Sequence, residues 1–226
     1  ALATLLLKRG VNPNLKIRID SPYKQAAFIN NLSNNIGYLN FNGNFKEKSK
    51  FKFKKIKKFD LINPDLLISE DNSIIFFDDK GSIVKFSSDS NLIWKKNHYE
   101  KSEIKLKPSI SFASDKNILV AADTIANIYA MDLFKGELIW KNRNPSPFNS
   151  EIKIYGDKIF LIDFENIIRC ISLESGKEIW SFGTDKTYIK SQRKLSLIIH
   201  KEIVIFIDTM GDINALDIKT GNLIKR

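Results

Sequence analysis

The side chains best suited to chemistry in this 226-residue chain are few and scattered. There is one cysteine, Cys170, and two histidines, His98 and His200, about a hundred residues apart. A thiol beside an imidazole makes an activated nucleophile, and His, Cys and carboxylates brought together hold a metal. Neither histidine has ligand-like neighbours along the chain, so each reads as an ordinary surface or strand residue. Asp123, Asp163 and Asp208 offer carboxylates for general base or cation chemistry. They recur at one register, 17 residues before positions 140, 180 and 225. A catalytic base is needed once, so a recurring carboxylate points to turn or capping duty. No Gly-x-Ser-x-Gly, phosphate loop or Cys/His cluster occurs. Catalytic, cofactor-binding and metal residues are therefore expected to be none.

The elements that would position these residues follow one repeated phrase. It reads Ser90-Asn-Leu-Ile-Trp94, Gly136-Glu-Leu-Ile-Trp140, Gly176-Lys-Glu-Ile-Trp180 and Gly221-Asn-Leu-Ile-Lys225, with steps of 46, 40 and 45 residues at the fifth position. Such periods mark solenoids, propellers or arrays. Around each phrase the apolar period is 2, so the segments are strands. The clearest unit runs 118–122, 127–132 and 138–140; others run 158–163, 167–172, 178–180 and 203–208, 213–217, 223–224. An earlier copy covers 73–77, 82–86 and 92–94. A further strand is expected at 108–112, 151–155 and 194–200. Asp132 with Gly136, and Asp217 with Gly221, place a turn-capping carboxylate before a residue suited to positive φ. Ser172 and Ser175 vary this theme, and Ser90 at the glycine position predicts a different turn. Four strands in 40 to 46 residues, stacked radially, make a propeller blade.

A fainter copy is expected over 36–45, with Asn42-Gly43 as a hairpin turn and Glu47 at the tryptophan position. The expected fold is all-β: an incomplete propeller of four-stranded antiparallel blades, about four to four and a half of a ring of seven or eight. Residues 1–35 read as an N-terminal extension and 36–226 as the partial propeller. The opening Ala1–Gly10 is too short to span a membrane and lacks the basic front of a signal peptide. With no initiating Met, and a last copy cut short at Lys225, the chain is expected to be a piece of a longer protein.

Apolar content of 43% supports a core, 27% charged residues argue against disorder, and a net charge of +10 invites a nucleic-acid partner. The positive residues are mostly Lys and are dispersed, while Arg, the usual base reader, is scarce. Nucleic acid is therefore not favoured. The densest run, Lys46 to Lys58, alternates Phe51 and Phe53 with Lys50, Lys52 and Lys54. It reads as a strand with a solvated lysine face; binding of an anionic polymer or membrane surface is the alternative.

The pattern Ala130, Asp132, Gly136, Trp140 resembles the tryptophan-docking repeat of pyrroloquinoline-quinone (PQQ)-type β-propellers. Cys170, Ser172, Gly176, Trp180 and Ala215, Asp217, Thr220, Gly221 are weaker copies, and the resemblance covers roughly residues 70 to 226. In that family Ala130, Cys170 and Ala215 form a small-residue column on which a neighbouring blade's indole is expected to lie. Cys170 then reads as an alanine-sized filler, and Trp94, Trp140 and Trp180 as structural. The family's dehydrogenases hold PQQ with a divalent cation such as Ca²⁺, an acidic base and often adjacent cysteines; this chain has one Cys. It looks more like the non-enzymatic, BamB-type branch. That resemblance implies no cofactor, a periplasmic site at the outer membrane, and protein partners from the β-barrel assembly machinery. Contacts are then expected in the connectors Lys95 to Lys107 and Asn142 to Asn149.

Overall fold

The computed structural model describes residue 47 and residues 66–69, 71–78, 80–185 and 194–226. They form four antiparallel four-stranded sheets, each with its strands in chain order. Blade 1 holds β1 (Leu67–Ile68), β2 (Ile74–Phe77), β3 (Ser82–Phe86) and β4 (Leu92–Asn97). Blade 2 holds β5 (Ile110–Asp115), β6 (Ile118–Asp123), β7 (Asn127–Asp132) and β8 (Leu138–Arg143). Blade 3 holds β9 (Lys153–Tyr155), β10 (Lys158–Ile162), β11 (Ile167–Ser172) and β12 (Glu178–Gly183). Blade 4 holds β13 (Leu197–His200), β14 (Ile203–Ile207), β15 (Ile213–Asp217) and β16 (Leu223–Lys225). The extension 1–35 and the copy expected at 36–45 lie outside the described residues. So does the lysine run, apart from Glu47, which is exposed.

Period-2 alternation builds both faces of each blade. In blade 2, Leu119, Ala121, Tyr129 and Met131 pack toward blade 1, while Val120, Ala122 and Ile128 pack toward blade 3. Phe160, Ile162, Ile168 and Cys170 of blade 3 meet Leu197, Val204, Phe206 and Leu216 of blade 4. The core is thus a series of seams between successive sheets. Burying both faces is why the second and third strands read as nearly continuous apolar runs. The far face of blade 4 leaves Ile198, Ile207 and Ile213 exposed.

Each outer strand carries a register shift at one place, between Lys85/Phe86, Ala130/Met131, Cys170/Ile171 and Ala215/Leu216. The extra residue bends the strand and spoils the edge as a template for further pairing. It also explains the two consecutive exposed apolar residues, Leu138 and Ile139, ahead of Trp140.

Two expectations change. The segment 95–107 is not a loop throughout: residues 95–97 end β4, and a one-turn helix, α1 (Lys101–Lys105), follows. Likewise Asn142 and Arg143 belong to β8, so that connector begins at Asn144. Among the described residues, no helix is long and apolar enough to cross a membrane.

Candidate functional site

The recurring aspartates sit at one end of the sheets, where the second strand turns into the third. Asp123 Oδ1 accepts the backbone N–H groups of Ile125 and Asn127 at 2.9 and 2.8 Å. Asp163 does the same for Glu165 and Ile167, at 2.9 and 3.1 Å. Asp208 takes those of Met210 and Asp212, both at 3.0 Å. Asp78 completes the set with Lys80 and Ser82, at 2.9 and 2.8 Å. Each carboxylate replaces ladder partners the turn has lost. The residue three further on adopts positive φ in every blade: Gly81, Ala126, Asn166 and Gly211.

At the opposite end, Asp132 Oδ1 accepts from Phe134 and Lys135 at 2.8 and 2.7 Å. Asp217 accepts from Lys219 and Thr220 at 2.9 and 2.8 Å. Ser172 Oγ substitutes with a 3.2 Å bond from Ser175. In blade 1 the turn is one residue shorter: Ser87 N–H bonds to Asn91 O, whereas Asp132 N–H bonds to Glu137 O. Ser90 still takes φ +67, beside +69 at Gly136.

These turns receive the tryptophans. Trp94 Nε1 donates to Leu133 O of blade 2 at 3.2 Å, Trp140 to Leu173 O of blade 3 at 2.9 Å, and Trp180 to Ile218 O of blade 4 at 3.2 Å. The indole covers the turn glycine: a Cβ at Gly136, Gly176 or Gly221 would lie 2.8, 2.6 and 2.6 Å from its ring. Glycine is required there by both positive φ and close approach. The small-residue column works differently from expectation. Ala130, Cys170 and Ala215 are cross-strand partners of Trp140, Trp180 and Lys225 in their own sheets. They make room for the indole of the same blade as it leans toward the next one; the neighbouring blade contributes the glycine and the carbonyl.

Blade 1 departs from this column. Lys85 pairs with Trp94 and is buried, with 1% of its side chain exposed. Its Nζ donates to Leu133 O at 3.2 Å, the acceptor Trp94 also uses. It pairs with Asp71 at 2.9 Å and lies over the Phe134 ring, 5.1 Å from the centroid. Burial works to raise the Asp71 carboxyl, but hydrogen bonds from Ser69, Lys85 and Ser73 hold it at about 2.

The same seam gathers a polar cluster that the sequence reading missed. Tyr129 Oη donates to Tyr99 Oη at 3.0 Å, and Tyr99 Oη to Asp123 Oδ2 at 2.6 Å. Asn127 Nδ2 bridges Asp123 and Glu103, at 3.1 and 3.0 Å. Lys141 reaches back from β8 to His98 O at 3.0 Å and to Glu103 at 3.3 Å. Burial raises Asp123 against the hydrogen bonds it accepts, and raises both tyrosines. Glu103 is lowered: burial opposes, but the bonds from Glu100 N–H, Asn127 and Lys141 prevail. With every donor matched, this cluster ties α1 to blade 2.

The structure does not bring the scattered candidates together. Cys170 is fully buried in the seam between blades 3 and 4, and burial pushes its thiol up to about 12, the reverse of an activated thiolate. His98 is half-buried in the first seam with Nε2 donating to Gly136 O at 3.2 Å; burial lowers its pKa, and that bond opposes. His200 is exposed on β13. Among the described residues no three His, Cys, Asp or Glu converge as a metal site. Asp123, Asp163 and Asp208 each use Oδ1 to accept turn N–H groups.

The two connectors differ in exposure. The connector after blade 2 is pinned: Ser146, Phe148, Asn149 and Ser150 are buried. The connector after blade 1 presents lysines and Leu106, which is 64% exposed.

Comparison with known proteins agrees with this architecture. A crystal structure of BamB from Moraxella catarrhalis aligns with TM-score 0.58 at 20% identity, over 71% of this chain and 47% of that one. The computationally designed Ika8 protein aligns with TM-score 0.55 at 19% identity, over 69% of this chain and 46% of its own. The designed Ika4 protein aligns with TM-score 0.54 at 12% identity, over 74% and 99%. At these identities the likeness shows the fold, and this chain spans about half the length of the BamB structure. Among the curated proteins no match is found. The family described as outer membrane protein assembly factor BamB matches residues 79–226, a span that contains the Trp94, Trp140 and Trp180 docking positions and reaches Lys225. With sheets, docked indoles and capped turns repeated through that span, the chain belongs to the BamB family of β-propellers.

Proposed function

We propose that this chain is a non-catalytic propeller scaffold that holds protein partners during assembly of outer-membrane β-barrel proteins, on the periplasmic side of the outer membrane. The observation that carries this reading is the family match over residues 79–226. The use of Asp78, Asp123, Asp163 and Asp208 as turn caps supports it, because the buried carboxylates serve the frame. The mechanism is display: rigid blades fix connectors in space, and the connectors touch the partner. Edge or loop pairing with an extended segment is the mode such a frame suits. No cofactor enters this reading.

The test uses the full-length protein. Co-purification with outer-membrane assembly components, in the absence of added PQQ and Ca²⁺, is the expected result. Alcohol- or sugar-dependent dye reduction after adding PQQ and Ca²⁺ would overturn it in favour of a quinoprotein dehydrogenase. Salt-sensitive heparin retention that disappears when Lys50, Lys52, Lys54 and Lys55 become Gln would point instead to an anionic-polymer role for the lysine run.

A further inference from the structure

The connector between blades 1 and 2 is built to present an apolar tip flanked by cations. Helix α1 is held from below. Ile104 packs on Gly81, where a Cβ would come within 2.8 Å of it. Glu103 accepts from Glu100 N–H at 2.8 Å, from Asn127 and from Lys141. The helix stops at Leu106, whose N–H bonds to Glu103 O, and Lys107 follows in left-handed backbone at φ +50. Pro108 then returns the chain to the buried interior. This turn leaves Leu106 64% exposed at the apex.

Lys105 and Lys107 flank that leucine along the chain and Lys101 opens the same helix; all three are exposed, as is Lys80, next to the Gly81 on which Ile104 packs. Among the described residues, none of these four forms an ion pair. Glu103 is turned inward onto Lys141, so Glu100 is the one exposed carboxylate of the segment. The connector after blade 2 has no such pattern: its 144–152 stretch carries no lysine and is largely buried.

We infer that the α1 tip docks on an anionic lipid bilayer surface, with Leu106 at the headgroup–acyl boundary and Lys80, Lys101, Lys105 and Lys107 on headgroup phosphates. Charge complementarity selects an anionic surface. The form of the charge selects lipid over an acidic protein. Lysine is a hydrated point charge on a flexible stem, suited to dispersed, mobile phosphates, whereas fixed carboxylates favour the planar fork of arginine. A large exposed leucine between two lysines also matches the interfacial pattern of apolar body and cationic rim. This inference stands apart from the protein-scaffold reading and does not need it.

The experiment is flotation with vesicles of neutral phosphatidylcholine and with vesicles containing roughly one third phosphatidylglycerol. The full-length protein is expected to float with the anionic vesicles only, and less at high salt. Lys101→Glu, Lys105→Glu and Lys107→Glu together are expected to weaken vesicle binding about a hundredfold or more, at about fivefold for each of the three positive charges removed. All three side chains are exposed, and an unchanged near-UV spectrum from the docked tryptophans checks the fold. A polarity-sensitive fluorophore on Leu106→Cys, which leaves buried Cys170 unlabelled, is expected to shift to the blue on anionic vesicles. Failure to float, an unshifted probe, or a triple variant that floats like the parent overturns the inference. Retention on an acidic polypeptide resin without vesicle binding overturns it in favour of a protein partner. A Lys50, Lys52, Lys54 and Lys55→Gln variant that loses flotation while the α1 triple variant keeps it overturns it in favour of the lysine run.

Discussion

The first and third seams dock the same indole on the same kind of turn, yet they are held differently. Between blades 1 and 2, Leu133 O takes two donors, Trp94 and Lys85, and His98 holds Gly136 O from the side. The connector adds the Tyr129–Tyr99–Asp123 chain and the Lys141–Glu103 pair. Between blades 3 and 4, Trp180 alone donates to Ile218 O, and Phe160 packs against its ring at 5.8 Å between centroids. The surroundings there are apolar, with Cys170, Val204, Phe206 and Leu216. The polar ties beyond the indole lie outside the apolar core: Asn166 Oδ1 accepts from Thr209 Oγ1 at 2.5 Å and from its N–H at 3.2 Å, Leu195 N–H donates to Asn149 O at 2.7 Å, and Arg226 pairs with Asp185 at the surface. A repeat therefore supplies a common docking unit, and individual substitutions decide how tolerant each seam is. An apolar seam can repack after a change, whereas a buried polar seam fails when one partner is removed.

Removing the indoles should give the largest effect. Trp94→Ala and Trp180→Ala are each expected to cost about 3–5 kcal/mol. Trp94, which is 7% exposed, should lie at the upper end because its loss also uncovers Lys85. Urea unfolding of the two variants measures this, and equal losses would erase the contrast between the seams.

Next come the turn glycines. Gly136→Ala and Gly221→Ala force a side chain into left-handed backbone and into the indole, costing at least about 2 kcal/mol. The loss should be similar at both seams, since the close approach is shared. A large difference would mean the common unit is not common.

The Lys85–Asp71 pair gives the first seam a pH dependence. The Asp71 carboxyl is held at about 2, below its ordinary 3.8. A carboxylate depressed on folding contributes stability above its unfolded pKa and loses it as pH falls through the folded value. Stability should thus decline between roughly pH 4 and pH 2, and Asp71→Asn should flatten that limb. Lys85→Met should be better tolerated than Asp71→Ala, because it removes the buried charge instead of stranding it. Unfolding midpoints across acidic pH decide both points; a steeper acid limb in Asp71→Asn would refute the pairing.

The smallest effect is expected at Ala126, which sits at φ +75 where blades 1 and 4 use glycine. Ala126→Gly should stabilise by about 0.5–1 kcal/mol through relief of left-handed strain. A thermal melt showing no gain would mean that Ala126 packing outweighs the strain.

Much of the frame was legible along the chain. The four repeat phrases, the fifteen strands named over residues 73–224, and the capping role of Asp132 and Asp217 all follow from local patterns. Lys85 was hidden by a single residue. Ala130, Cys170 and Ala215 stand ten positions before 140, 180 and 225, but the shorter Ser87–Asn91 turn moves the blade 1 partner of Trp94 one place, from Val84 to Lys85. Strand β1 is two residues long, too short for any period to show. Helix α1 is a single turn whose stability comes from Gly81, Asn127 and Lys141, none of them near it in sequence.

By itself the sequence determined the blade period, the strand content and the turn chemistry, because alternation, Asp caps and left-handed glycines act within a few residues of one another. Only the tertiary structure decided what each seam does with that unit. Whether the column residue receives its own indole or a neighbour's depends on register and on the lean of one sheet against the next. So does the burial of a lysine between blades, and the assembly of Tyr99, Asp123 and Tyr129 around a one-turn helix. Those outcomes are set by groups far apart along the chain, which meet only when the sheets have packed.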